Sequence, residues 1–181
     1  MALTIGIVAG EASGDLLGSR LIRAIKKHRP DIEFVGIAGP KMMSEGAKSL
    51  YPMGKLSLHG YGFDVLKQIP SLFSMRKQLG NHFIENPPKV FIGIDAPDFN
   101  FSLEKRLKDH GITTIHYVSP SIWAWRKGRM GKIKRAVNHI LTLFPFEPAL
   151  YEAANVKATY VGHPLADRYP LIQMSRKPGK L

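Results

Sequence analysis

A carboxylate that could act as a base stands directly after an apolar stretch in the segment 93–100 (GIDAPDFN). The sequence predicts a buried strand at Val90–Ile94, and open α/β sheets bind ligands beyond the carboxyl ends of their strands. Asp95 is therefore expected to point into a cleft, where a carboxylate can serve as a general base. Asp98 is a second candidate for binding, although its position at a predicted helix start favours a first-turn charge or an N-cap.

A second acidic segment, 9–15 (AGEASGD), joins the first predicted strand to the first predicted helix. Its glycines allow close approach of backbone to a ligand, and a helix N-terminus offers unpaired N–H groups. The spacing is not that of a dinucleotide fingerprint, and the acidic side chains would repel a pyrophosphate. The candidate binding residues are Gly10, Glu11, Ser13, Gly14 and Asp15. For Ser13 and Asp15 an N-cap role in this helix is an equally good prediction.

A third segment, 116–126 (HYVSPSIWAWR), places two tryptophans beside arginine and serine after another predicted strand. Such a group suits a sugar or a lipid headgroup, although at least one indole is expected to pack in the core. His116 lies within the strand and is expected to be structural. A strand-end turn, 161–164 (VGHP), adds one more polar side chain at the same edge. The candidate binding residues are Ser119, Trp123, Trp125, Arg126 and His163.

The net charge of +12 and the pI near 10.0 favour an anionic partner. Six of the ten residues in Arg126–Arg135 are basic, which suits nucleic acid, anionic lipid or a substrate phosphate, and which is also typical of a solvated helix face. The absence of cysteine excludes disulfides and thiolate metal sites. No metal site and no cofactor is predicted.

An amphipathic segment, 63–73, combines apolar and basic side chains. Such a helix can lie in a membrane interface. The pattern alone favours packing on a sheet instead. Pro70 is expected to kink or split the helix into two pieces. The candidate membrane-contacting residues are Phe63, Val65, Leu66, Ile69, Leu72 and Phe73.

Strand-like and helix-like segments alternate along the chain, which predicts parallel strands with crossover helices in a Rossmann-like, doubly wound α/β sheet. The alternation indicates one domain over residues 1–165, followed by a basic tail over 166–181. Neither a signal peptide nor a run long enough to span a membrane is predicted, so the protein is expected in the cytoplasm. The predicted strands are 3–9, 33–37, 90–94, 113–118, 139–143 and 157–161, and the predicted helices are 16–27, 41–45, 100–110, 126–136 and 148–154.

Taken together, these segments resemble the lipid-A-disaccharide synthase family. The combination is specific because the matching stretches occur in the family's order and cover almost the whole chain. They are 9–18 (AGEASGDLLG), 34–42 (FVGIAGPKM), 93–100, 116–126, 143–151 (LFPFEPALY) and 161–167 (VGHPLAD).

The resemblance implies the N-terminal, acceptor-side domain of a GT-B glycosyltransferase. Such an enzyme joins UDP-2,3-diacylglucosamine to 2,3-diacylglucosamine 1-phosphate (lipid X) and inverts the anomeric centre without a metal. Asp95 matches the proposed base for the acceptor 6-hydroxyl, and the apolar residues of 63–73 match the family's membrane-contacting helix. The expected location is the anionic inner face of the inner membrane.

The family continues for roughly as much chain again. That half carries most of the donor site and much of a homodimer contact, so the present chain alone is expected to be inactive. Two alternatives remain open from the residues. One is a UDP-sugar epimerase or another Rossmann nucleotide-binding domain. The other is a nucleic-acid-binding module, which the resemblance makes unexpected.

Overall fold

A seven-stranded, wholly parallel sheet forms the centre of the molecule in the computed structural model, which describes residues 3–56, 63–120, 130–163 and 166. The strand order is β3-β2-β1-β4-β5-β6-β7. The predicted doubly wound α/β fold is therefore confirmed. The strands are β1 (Thr4–Ala9), β2 (Glu33–Ile37), β3 (Ala47–Ser49), β4 (Val90–Ile94), β5 (Thr113–Tyr117), β6 (His139–Thr142) and β7 (Ala158–Tyr160).

Helices connect the strands and cover both faces of the sheet. They are α1 (Ala12–His28), α2 (Pro40–Ser44), α3 (Phe63–Glu85), α4 (Pro97–Asp109), α5 (Met130–Ala136) and α6 (Glu147–Glu152), with a 3₁₀ turn at Met53–Lys55. The side chains of residues 63–68 lie outside the described part of α3. None of the described helices is long and apolar enough to cross a membrane.

Successive strand residues point to opposite faces, so one strand supplies two separate cores. Ile7 of β1 packs on the face that α1 covers, together with Ile22. Val8 packs on the other face, against a stripe of α3 with helical spacing whose members are Met75, Leu79 and Phe83. α4 completes this second core with Phe99, Leu103 and Leu107. Both sheet faces are therefore dry, as the near-continuous apolar strands predict.

The observed elements differ from the predicted ones mainly at helix starts. α1 begins at Ala12 and α4 at Pro97, several residues before the apolar pattern becomes periodic. β3 is not predicted, because a three-residue strand carries too little pattern. The domain boundary predicted near residue 165 stays a prediction, since 167–181 lie outside the described residues.

The predicted split of the helix at Pro70 is wrong, and the predicted kink stays a prediction. α3 runs without a break over 23 residues, with Pro70 inside it. A proline removes one backbone hydrogen bond and crowds the preceding turn. The rest of α3 packs its stripe of Met75, Leu79 and Phe83 on the sheet, and that burial holds the helix in one piece.

Candidate active site

The crevice between β1 and β4 is where the strand order reverses, because the chain turns from β1 towards β2 and from β4 towards β5. Ligands of open α/β sheets bind at such switch points. The two loops that leave these strands touch each other. A Cβ on Gly10 would lie 2.6 Å from the Cβ of Ala96, so glycine is required for this approach. The fold thus brings together two segments that stand more than eighty residues apart.

The half-buried Asp95 stands at this point on an unusual backbone. Its φ is +52°, and that of Ala96 is +44°, so two consecutive non-glycine residues adopt the left-handed conformation. Such residues cost about 1–3 kcal/mol each and persist only where surrounding contacts fix them. The Asp95 N–H donates to the Tyr117 carbonyl at 2.9 Å, and Asp95 Oδ1 accepts from the Ala96 N–H at 2.9 Å.

The carbonyl group of Asp95 is held by a side chain from the helix that follows. Asn100, fully buried in α4, donates its amide Nδ2–H to the Asp95 oxygen at 2.8 Å. Asp98 lies in the first turn of α4 and is exposed, as its helix-start position predicts. Its carbonyl accepts a hydrogen bond from Arg76 of α3 at 3.3 Å. The loop is therefore held from β5, from α3 and from α4.

A buried polar pair lies beneath this loop. His116 Nδ1 and Glu104 Oε1 are 2.8 Å apart, and the two side chains are 1% and 0% exposed. Burial raises the pKa of the Glu104 carboxyl, and the neighbouring His116 offsets part of this rise. His116 is therefore buried within the sheet, as expected of a structural residue. Its partner Glu104 lies on α4, and the residue pattern of β5 does not indicate this contact.

The loop after β5 shows the same kind of strain. Val118 has φ +83°, which is a true outlier for a β-branched residue. Ser119 next to it places its Oγ 2.7 Å from the Tyr151 hydroxyl. Burial raises the pKa of Tyr151 to about 12, so its hydroxyl stays neutral and can donate or accept at physiological pH. Tyr151 anchors Ser119, a role that no sequence pattern indicated.

The acidic segment after β1 is arranged differently from its prediction. The N-cap residue of α1 is Glu11, which makes no side-chain cap hydrogen bond, so the predicted N-cap roles of Ser13 and Asp15 in α1 are wrong. The buried Asp15 carboxylate instead accepts the backbone N–H groups of Lys41 at 3.0 Å and Met42 at 2.9 Å. It therefore caps α2, because the free N–H groups of a helix start attract a carboxylate wherever it comes from.

A model of the family described as lipid-A-disaccharide synthetase matches residues 5–179. The chain belongs to this family. The lipid-A-disaccharide synthase of Methylobacillus flagellatus is 64% identical over 168 residues, which are 93% of this chain and 44% of the relative. The one of Chromobacterium violaceum is 56% identical over 170 residues, with 94% and 44% covered. The chain thus spans less than half the length of these lipid-A-disaccharide synthases.

In this member of the lipid-A-disaccharide synthetase family, most of the predicted site residues within the described part of the chain lie along one edge of the sheet. Gly10, Glu11 and Asp95 follow neighbouring strands, and Ser119 follows the next one. Glu11 and Ser13 are exposed. Gly14 is buried near Ala9 and Ile94, so it serves close helix–strand packing. The predicted ligand contacts of these residues stay predictions. Trp123, Trp125 and Arg126 lie outside the described residues.

Further along the same edge, exposed aromatic rings follow β6. Phe144 and Phe146 stack with ring centroids 5.8 Å apart and are 45% and 50% exposed. The ring of His163, after β7, lies 6.4 Å from that of Phe144. The carboxyl edge of the sheet therefore changes from polar at β4 to aromatic at β6. Among the described residues no group of three or more potential metal ligands occurs.

Two side chains of the site escaped sequence reasoning although a signal was present. Asn100 and Glu104 are spaced by one helical turn, directly beside the apolar stripe of Phe99 and Leu103. Polar residues on the buried face of a helix generally need hydrogen-bond partners, so their presence there indicates a specific contact. The predicted helix 100–110 contains both residues, but the sequence does not show that their face packs against β4 and β5.

Proposed function

We propose that the full-length enzyme, meaning this half joined to the remainder present in the longer relatives, is a lipid-A-disaccharide synthase. It transfers 2,3-diacylglucosamine from UDP to the 6-hydroxyl of 2,3-diacylglucosamine 1-phosphate. The products are a β-1,6-linked disaccharide and UDP. This half supplies the acceptor side of a GT-B cleft. The observation that carries the proposal is Asp95, held on a strained backbone at the switch point of the sheet.

In this mechanism Asp95 takes the proton of the acceptor 6-hydroxyl as its oxygen attacks the anomeric carbon of the donor. The bond from that carbon to the diphosphate oxygen breaks, and its electron pair leaves with UDP. Attack opposite to the leaving group inverts the anomeric centre. A base must be fixed within hydrogen-bond reach of the proton it removes. Two backbone hydrogen bonds fix Asp95: its carbonyl accepts from Asn100, and its N–H donates to the Tyr117 carbonyl.

The acceptor sugar is proposed to lie along the carboxyl edge between the loops after β1 and β5. Glu11 and Ser13 offer exposed polar groups on one side. Ser119 offers a hydroxyl whose position Tyr151 fixes. The residues predicted to complete the binding surface from the sequence are Trp123, Trp125, Arg126 and His163.

The test is the turnover of Asp95→Asn in the full-length enzyme, because asparagine keeps the shape of aspartate and removes its basicity. Loss of a general base lowers turnover by about 10²–10⁴-fold. Asp109→Asn is the matched control, since Asp109 is an exposed residue at the far end of α4 that pairs with Lys105. Near wild-type turnover of Asp95→Asn would make Asp95 structural.

Membrane binding at the inner face of the inner membrane is the second part of the proposal, and α3 supports it. Phe73 is 57% exposed, and the Arg76 guanidinium lies 4.6 Å from its ring centroid. Beside them a groove of about 440 Å³ between α3 and α4 carries Lys77 and Arg106. An apolar ring among cations suits an anionic bilayer surface, where each basic residue contributes about 1 kcal/mol.

Variants of Leu72 and Phe73 distinguish membrane binding from packing in the core. Leu72 packs against the core beneath α3, whereas Phe73 points to solvent. Phe73→Ser is expected to weaken salt-resistant binding to phosphatidylglycerol vesicles and to leave the melting temperature within about 2 °C. Leu72→Ser is expected to lower the melting temperature. Equal vesicle binding by Phe73→Ser, or tighter binding to an oligonucleotide than to vesicles at matched salt, would contradict the membrane proposal.

The donor site and the homodimer contact are proposed to lie in the remainder of the full-length enzyme. This chain alone is then expected to melt cooperatively, to bind no UDP in calorimetry and to transfer no sugar. Stabilisation of the leaving diphosphate would be missing, and such electrostatic stabilisation is usually a large share of catalysis. Disaccharide formation by the purified 181-residue chain would contradict this expectation.

A further inference from the structure

Three buried polar side chains lie under the Asp95 loop, and none of them exchanges a proton in the proposed chemistry. Asn100 and Glu104 are 0% exposed, and His116 is 1% exposed. Asn100 Oδ1, Glu104 Oε2 and His116 Nε2 have no hydrogen-bond partner among the described residues. Burying such groups incompletely paired costs about 1–3 kcal/mol each. These three residues lie between the candidate base and the core, where they can hold the backbone of Asp95 in place.

The first contact in this cluster reaches Asp95 directly. The Asn100 amide donates to the Asp95 carbonyl at 2.8 Å and also lies 3.4 Å from the Ile94 carbonyl. The helix thereby reaches back to the last residues before the turn. A left-handed non-glycine residue needs such outside contacts to persist.

The second contact ties together the two elements that hold Asp95. The carbonyl of Asp95 is bound from α4, and its N–H is bound to β5 through Tyr117. The Glu104–His116 hydrogen bond joins the same α4 to the same β5. Gly93 of β4 lies opposite His116 in the register and leaves room for this pair, since a Cβ there would overlap Glu104 Oε1.

We propose that Asn100 and the Glu104–His116 pair are positioning residues that hold Asp95 in its left-handed conformation for catalysis. This inference rests on the proposed role of Asp95 as the base. Asn100 acts on the Asp95 backbone, and the buried pair keeps α4 at the distance from β5 that the Asn100 contact requires. Phe101, whose ring centroid lies 4.4 Å from that of His116, closes the pair from the side. All three side chains are buried, so they act through Asp95.

The experiment measures kcat and KM of the full-length enzyme for Asn100→Ala, which removes the amide donor. We expect kcat to fall about 10- to 100-fold with KM unchanged within about twofold, because a misplaced base slows chemistry without weakening binding. Asn86→Ala, at an exposed position beyond α3, is the matched control. If Asn100→Ala does not fold, Asn100→Leu keeps a similar shape and loses the donor.

The Glu104 variants test the buried pair separately. Glu104→Gln offers both an acceptor oxygen and an N–H donor, so it can pair with His116 Nδ1 in either tautomer, and its kcat should stay within about twofold of the wild type. Glu104→Leu loses that acceptor and should lower kcat as Asn100→Ala does. Equal kcat for Glu104→Leu and the wild type would overturn the role of the pair.

A double variant distinguishes positioning from mere stability. Residues that act through Asp95 lose their effect when Asp95 is already disabled. Adding Asn100→Ala to Asp95→Asn should therefore lower the residual kcat by less than about twofold. A further loss as large as in the wild-type background would overturn the proposal. If Asp95→Asn itself is fully active, the proposed function fails first, and that result is separate from the positioning result.

Discussion

The two loops at the switch point begin alike and end differently. Each follows a buried strand, carries acidic residues and enters a helix. In the loop after β1 the backbone at Glu11 is extended, and Asp15, in the first turn of the helix that follows, caps α2 with its carboxylate. In the loop after β4 two residues are left-handed, and backbone groups of Asp95 are bound from β5 and α4. An acidic residue shortly after a strand thus serves stability in the β1–α1 segment and, as we propose, chemistry in the loop after β4.

The comparison predicts a stability effect at Asp15. Asp15→Ala leaves the backbone N–H groups of Lys41 and the buried Met42 without their acceptor, so we expect a loss of about 1–3 kcal/mol in the free energy of unfolding. Glu11→Ala is the matched control, because the exposed Glu11 side chain caps nothing and its removal should cost less than about 0.5 kcal/mol. Chemical denaturation measures both. Equal losses would remove the distinction between the two carboxylates.

In the strained loop after β4, a substitution that raises stability is expected to lower activity. Ala96→Gly relieves a left-handed alanine and is expected to raise the free energy of unfolding by about 0.5–1 kcal/mol. The same change loosens the turn that carries Asp95, so turnover of the full-length enzyme should fall several-fold. Thermal denaturation and steady-state kinetics measure the two effects. A variant that is both less stable and fully active would show that the strain has no link to function.

The smallest expected effect is a pH dependence that originates at Glu104. Burial raises the pKa of this carboxyl above its ordinary value of 4.5, so the folded state holds the proton more tightly than the unfolded state. Its stabilising contribution is complete below pH 4.5 and is lost as the pH rises through the raised pKa. Relative to Glu104→Gln, the wild type should therefore lose stability as the pH rises through this range. A difference in unfolding free energy that is constant with pH would refute the raised pKa of Glu104.

The sequence predicted the strands well because both faces of a parallel sheet are buried, so β2 and β4 appear as apolar runs with clear ends. It placed Asp95 correctly at a strand end for the same reason. It could not assign Asp15, because the N-terminus that Asp15 caps belongs to α2, about 25 residues further along the chain. Asn100 and Glu104 were missed because their meaning depends on contacts with β4 and β5.

The most direct test of Asp95 as the base is the position of the acceptor 6-hydroxyl relative to its carboxylate. A crystal structure of the full-length enzyme with 2,3-diacylglucosamine 1-phosphate would show it. We expect a distance of about 2.6–3.2 Å between that hydroxyl and an Asp95 carboxylate oxygen, with the Asn100 contact retained. An acceptor whose 6-hydroxyl lies against a different carboxylate, with Asp95 out of reach, would show that Asp95 is not the base.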